Sequence, residues 1–119
     1  MSKATIIGGG DGKCLAEMKV KTEHLNGMGG LHGGLSSTIV DVFTTYALMT
    51  HDVENIRGGV SVDLHVTFLK GARENDEIVI DARTIKCGKT LAFLECEIRN
   101  KKCNSILVKG AHTKFVGSG

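Results

Sequence analysis

Residues 26–41 read NGMGGLHGGLSSTIVD, from Asn26 to Asp41, and set a glycine-laden polar loop directly against an apolar segment that carries one acid. From Leu35 to Thr50 every residue is apolar, small or hydroxylic except Asp41. Leu35, Ile39, Phe43, Tyr46 and Ala47 recur at helical spacing, and Val40, Val42, Leu48 and Met49 widen the stripe, so the segment predicts a helix wrapped on most sides. Asp41 falls on the far side of that stripe, with Ser37, Thr38 and Thr45 at helical distances as hydroxyl partners for its carboxylate. A carboxylate in such surroundings is costly unless it is hydrogen-bonded or used.

The loop before the helix matters for the same reason. The first backbone N–H groups of a helix lack intrahelical partners and sit at the positive end of its dipole, and Gly33 and Gly34 let an oxygen of a ligand approach them closely. Such an amide can stabilise an oxyanion. The plainer reading of the same glycines is a turn that needs their backbone angles.

Outside this helix the pattern has period two. Cys14, Ala16, Met18 and Val20 alternate with Lys13, Glu17, Lys19 and Lys21, and Val60, Val62, Leu64, Val66 and Phe68 alternate with Ser61, Asp63, His65 and Thr67. Further strand-like runs cover 77–86, 90–100 and 105–115, separated by short turns, so the last three are expected as consecutive antiparallel hairpins. No proline interrupts these runs. The expected fold is α+β, five antiparallel strands around one helix. Residues 1–12, with the Gly8–Gly12 cluster read as a turn or flexible start, precede a single domain over 13–117. One helix cannot cover such a sheet and both its edges, so a dimer is expected.

Composition narrows the function classes. At 119 residues, 41% hydrophobic and 24% charged, the chain suits one core. The net charge of +2 argues against nucleic acid as a partner, but Arg83, Lys86, Lys89, Arg99, Lys101, Lys102, Lys109 and Lys114 crowd the last third, which suits either a phosphate-bearing ligand or a solvated sheet edge. Cys14, Cys87, Cys96 and Cys103 lack paired spacing, and the five histidines show no ligand motif, so free thiols and no metal are expected. Neither glycine segment fits a Walker or dinucleotide pattern. No apolar run reaches about 18 residues and the N-terminus has no hydrophobic signal region, which predicts a cytoplasmic or mitochondrial protein, not secreted and not stably inserted in a membrane.

Several separated segments carry a resemblance. HLNGMGGLHGGLSSTIVD at 24–41, GVSVDLHVTF at 59–68, KCGKTLAF at 86–93 and GAHTK at 110–114 look, in this order, like the hotdog-fold acyl-CoA thioesterases. The resemblance implies a hotdog fold, a curved antiparallel sheet wrapped around one long helix, assembled as a dimer of dimers with sites at subunit interfaces. It implies hydrolysis of medium- to long-chain fatty acyl-CoA, with coenzyme A as part of the substrate and no separate cofactor. By the family's pattern Asp41 matches the catalytic carboxylate, Asn26 the polar residue beside the thioester, and Gly33 the amide that polarises its carbonyl. Ser61 matches a hydroxyl supplied by the partner subunit, and His32 the loop histidine. Lys86, Asp63 and Phe68 match coenzyme A contacts, and Lys89 and Lys114 join them by charge. Phe115 stands where a relative's histidine meets the coenzyme, so that contact is lost or replaced by stacking on the adenine.

Elementary chemistry agrees with these roles and leaves choices open. Asp41 can accept a proton from attacking water or attack the thioester itself. His32 can rigidify the loop or transfer a proton, and Ser61 can be a plain strand residue. The polar segment HDVENIRG at 51–58 is a candidate for setting chain specificity. The alternatives to hydrolysis are a hotdog dehydratase and a non-catalytic acyl-CoA binding or scaffold protein.

Overall fold

A computed structural model describes residues 4–21, 33–51 and 59–117. The chain runs β1 (Thr5–Gly10), β2 (Lys13–Lys19), α1 (Gly33–His51), β3 (Val60–Phe68), β4 (Glu77–Cys87), β5 (Leu91–Asn100) and β6 (Ile106–Phe115). The six strands form one sheet in the order β1-β2-β4-β5-β6-β3, with every neighbouring pair antiparallel. The expected hairpins β4–β5 and β5–β6 are present. The helix enters between β2 and β3 and packs on one face, so a single crossover carries the chain from one side of the sheet to the other edge.

Two expectations change. The sheet has six strands where five were expected, because residues 5–10 pair with β2 as an edge strand. The turn itself is confined to Asp11 and Gly12, both at positive φ. The apolar stripe of the helix is also rotated. Ser36, Ile39, Val40, Phe43, Thr44, Ala47 and Leu48 are buried, whereas Tyr46 is 42% exposed and meets Phe43 edge-on at 5.7 Å between ring centres. Two hydroxyls therefore occupy the sheet-facing side among the aliphatic residues.

The core is built where period two meets period 3.6. Cys14, Ala16 and Met18 of β2, Ile78, Ile80 and Ala82 of β4, and Cys96 and Ile98 of β5 point at Ile39, Val40, Phe43 and Ala47. Cys14 and Cys96 behave as small apolar residues, and burial pushes the Cys96 thiol up to about 12. Gly110 of β6 is where helix and sheet approach most closely. A Cβ there would lie 2.6 Å from Val40 Cγ1 and 2.9 Å from its Cγ2, and a fully buried valine cannot swing aside. That contact brings the middle of α1 down onto β6, next to the residues of the site.

Candidate active site

The close approach of α1 to β6 brings Asp41, Thr44 and Thr45 opposite His112 and Lys114. Along β6 the residues Val108, Gly110, His112, Lys114 and Val116 all face inward, and His112 is 1% exposed. Its imidazole is held at both nitrogens, Nδ1 at 2.8 Å from Thr44 Oγ1 and Nε2 at 2.8 Å from Ser61 Oγ on the edge strand β3.

Proton accounting fixes the direction of these bonds. Thr44 has one hydroxyl proton and donates it to a backbone carbonyl, that of Val40 at 2.7 Å, as helical threonines do. Its oxygen therefore accepts from His112 Nδ1–H. Nε2 is then an acceptor, and Ser61 donates to it. Burial pushes the His112 imidazole below its ordinary value, against the pull of Asp41, which agrees with a neutral ring.

Asp41 reaches toward the same ring but does not join it. Its Oδ1 is 3.9 Å from His112 Nδ1, whose proton is already given to Thr44, so the three residues do not form a closed Ser-His-Asp relay. The carboxylate is 49% exposed. The expected hydroxyl partners are used differently, since Thr45 donates to the backbone carbonyl of Asp41 at 2.8 Å, not to its side chain. An accessible carboxylate of this kind is suited to taking a proton from water.

The other expected residues fall in three places. Gly33 opens α1, so its N–H belongs to the unpaired first turn, but it lies eight residues from Asp41, about 12 Å along the axis of one helix. Ser61, expected from a partner subunit, stands at His112 of its own chain. Asn26 and His32 lie outside the described residues, as does most of the 51–58 segment.

The expected coenzyme contacts divide. Lys86 and Lys89 stand exposed at the β4–β5 turn, and Phe68, Asp63 and Phe115 are also exposed. Lys114 does not belong with them. It is 5% exposed, with Nζ donating to Thr45 Oγ1 at 2.8 Å, because it faces the helix and not the outer surface. Much of the remaining basic surplus is paired. Arg99 meets Asp81 and Glu97, each at 3.1 Å, Arg83 and Lys109 also approach Glu97, and Lys101 bonds Glu17 at 2.9 Å. Such pairs at a sheet surface contribute little to stability, but they remove those cations from the set free to bind phosphate.

Reasoning from sequence alone missed His112 and Thr44 as members of the site. The signal for His112 was present in the alternation Gly110, His112, Lys114, which puts a histidine on the face that also carries Val108 and Val116. Among the described residues no group of acids, histidines and cysteines is placed to hold a metal ion, and no helix is long and apolar enough to cross a membrane.

A single helix against an antiparallel sheet, with an acid at mid-helix, defines the class, and the chain belongs to the thioesterase superfamily, whose profile matches residues 28–106. Acyl-coenzyme A thioesterase 13 of Homo sapiens is 42% identical over 118 residues, covering 99% of this chain and 83% of the relative. The crystal structure of zebra fish thioesterase superfamily member 2 superposes with a TM-score of 0.93 at 38% identity, covering 98% of this chain and 83% of that one. That of thioesterase superfamily member 2 from Mus musculus gives 0.89 at 42% identity, with 97% and 83% covered. The fold is the hotdog fold of these thioesterases.

Proposed function

We propose that the chain hydrolyses medium- to long-chain fatty acyl-CoA thioesters to free fatty acid and coenzyme A, with Asp41 as the base that activates water. The observation that carries this reading is the half-exposed Asp41 carboxylate beside the Ser61–His112 pair, in a chain 42% identical to a protein named for acyl-CoA hydrolysis. Water held between the carboxylate and the Ser61 oxygen loses a proton to Asp41 as it attacks the thioester carbon. A Gly33 amide, with Asn26 beside it, receives the charge that gathers on the carbonyl oxygen. Collapse of the tetrahedral adduct expels the thiolate, and no covalent enzyme intermediate is needed.

Gly33 and Asp41 are about 12 Å apart along one helix, farther than an amide, a carbonyl and one attacking water readily span. The centre is therefore shared by two copies of the chain, the amide of one facing the Asp41 and Ser61 of the other. The β3 edge supports this assembly: Val60 and Val62 are 68% and 60% exposed, and Leu64 and Phe68 accompany them on a strand that pairs with β6 on one side and ends the sheet on the other. Pairing there makes the dimer, and two dimers make the expected tetramer. Lys86 and Lys89 meet coenzyme phosphates, and Asp63, Phe68 and Phe115 are assigned to the coenzyme by the family's pattern.

Steady-state thiol release from saturated acyl-CoA esters of increasing length tests the reading, run beside 3-hydroxyacyl and enoyl esters. Turnover that rises into the medium and long chains is expected. Saturable binding without thiol release would make the protein a binding module, and interconversion of the hydroxyacyl and enoyl esters would make it a dehydratase.

A further inference from the structure

Lys114 buries an ammonium for which the fold has no use. Among the described residues its Nζ donates to one neutral hydroxyl, that of Thr45 at 2.8 Å, and its cross-strand neighbours are Ser61 on β3 and Ala92 on β5. Taking a cation out of water is unfavourable, and a single neutral hydrogen bond does not offset it. Burial accordingly pushes the Lys114 amine below its ordinary value, partly countered by the charge of Asp41. A methionine would bury a similar stem without that penalty. A cation retained at such cost beside a reactive carboxylate points to a role in the site.

Its surroundings say which role. The groups that bear on the His112 ring are Asp41 and Thr44 from α1, Asp63 and Ser61 from β3, and Lys114 two residues further along its own strand, while β5 presents the apolar Leu94. Two acids thus draw a proton toward the imidazole, and Lys114 opposes them. A second proton would sit on Nε2, turning an acceptor into a donor and displacing the hydroxyl proton of Ser61 from its place. We propose that Lys114 is a positioning residue whose buried ammonium, anchored by Thr45, keeps His112 neutral and so keeps the Ser61 hydroxyl aimed at Nε2. This rests on the reading of Asp41, Ser61 and His112 as the reacting centre.

The test is an NMR titration of the His112 imidazole in the full chain, for the parent, Lys114→Met and Lys114→Arg, with the pH profile of kcat/KM for thiol release. In Lys114→Met the ring is expected to take up its proton at higher pH than in the parent. The acid limb of kcat/KM should move in the same direction, with no loss of melting temperature. Lys114→Arg keeps the charge, and its His112 titration should follow the parent. Lys114→Gln, neutral and able to bond Thr45, gives the same comparison where Lys114→Met fails to fold. Superposable His112 titrations in the parent and the neutral variants would overturn the proposal. Absence of turnover in the parent would sink the hydrolase reading alone, because the titration decides this inference without substrate.

Discussion

Asp41→Asn is expected to lower kcat for acyl-CoA hydrolysis by about 10³-fold, and Ser61→Ala to lower it only about tenfold. The difference follows from what each atom can do. Asparagine keeps the shape of the side chain but cannot take a proton, so the attacking water loses its base. Alanine at 61 removes one oriented hydroxyl that holds the water, a contribution of about 1.4 kcal/mol. The side chain of Asp41 is half exposed, and its charge only partly offsets the burial of Lys114, so the variant should stay folded with a modest loss of stability and still bind coenzyme A. Steady-state thiol release with a binding isotherm for each variant checks this. The opposite order would make Ser61 the nucleophile, since its hydroxyl donating to His112 Nε2 is the geometry of an activated serine. What argues against it is the missing third member: the Nδ1 proton goes to Thr44, and Asp41 is 3.9 Å away.

His112→Phe should lose activity and more than a modest share of stability, which separates it from Asp41→Asn. The ring is 1% exposed and holds two hydrogen bonds. Phenylalanine strands the buried Thr44 oxygen, at a cost of about 1–3 kcal/mol, and frees Ser61 to rotate. Loss of that orientation lowers kcat/KM by roughly ten- to a hundredfold. His112→Gln, whose amide can donate to Thr44 and accept from Ser61, retains more of both. The parent's acid behaviour has the same origin. Burial places the folded-state value of His112 below the ordinary 6.5, so the unfolded chain binds the proton first. The stabilisation is full above pH 6.5 and is lost as the pH falls below it toward the folded value. Chemical denaturation of the parent and His112→Gln from pH 8 downward should show this slope in the parent and its absence in the variant.

Much of this molecule was legible because its two periods are clean. Helix and strands from Lys13 onward fall within a few residues of their expected bounds, since Leu35–Thr50 has no strand-like alternation and β2 to β6 have little else. β1 was hidden because TIIGGG has glycine in half its positions, and only pairing with Leu15, Ala16 and Glu17 makes it a strand. The helix face was misjudged at Tyr46, because hydropathy ranks a tyrosine above Ser36 or Thr44. Thr44 is drawn inward by a partner, His112, 68 residues away. Lys114 read as a surface cation for the same reason, because its sign was visible and its direction was not. Ser61 was legible as a site residue, but its hydrogen bond to His112, 51 residues away, was not. Asp41 needed none of this, being one acid in a long apolar segment.

The assembly of one centre from two copies is the claim on which the mechanism depends. Co-expression of Asp41→Asn chains with Asn26→Ala chains, purified as the mixed oligomer, measures it through thiol release. In half-and-half dimers one of the two centres carries both defects and the other neither, so activity should return to well above that of either variant alone. A mixed oligomer no more active than the two separate variants would mean that Asn26, Gly33 and Asp41 of one chain do not act on opposite sides of an interface, and the shared site would be wrong.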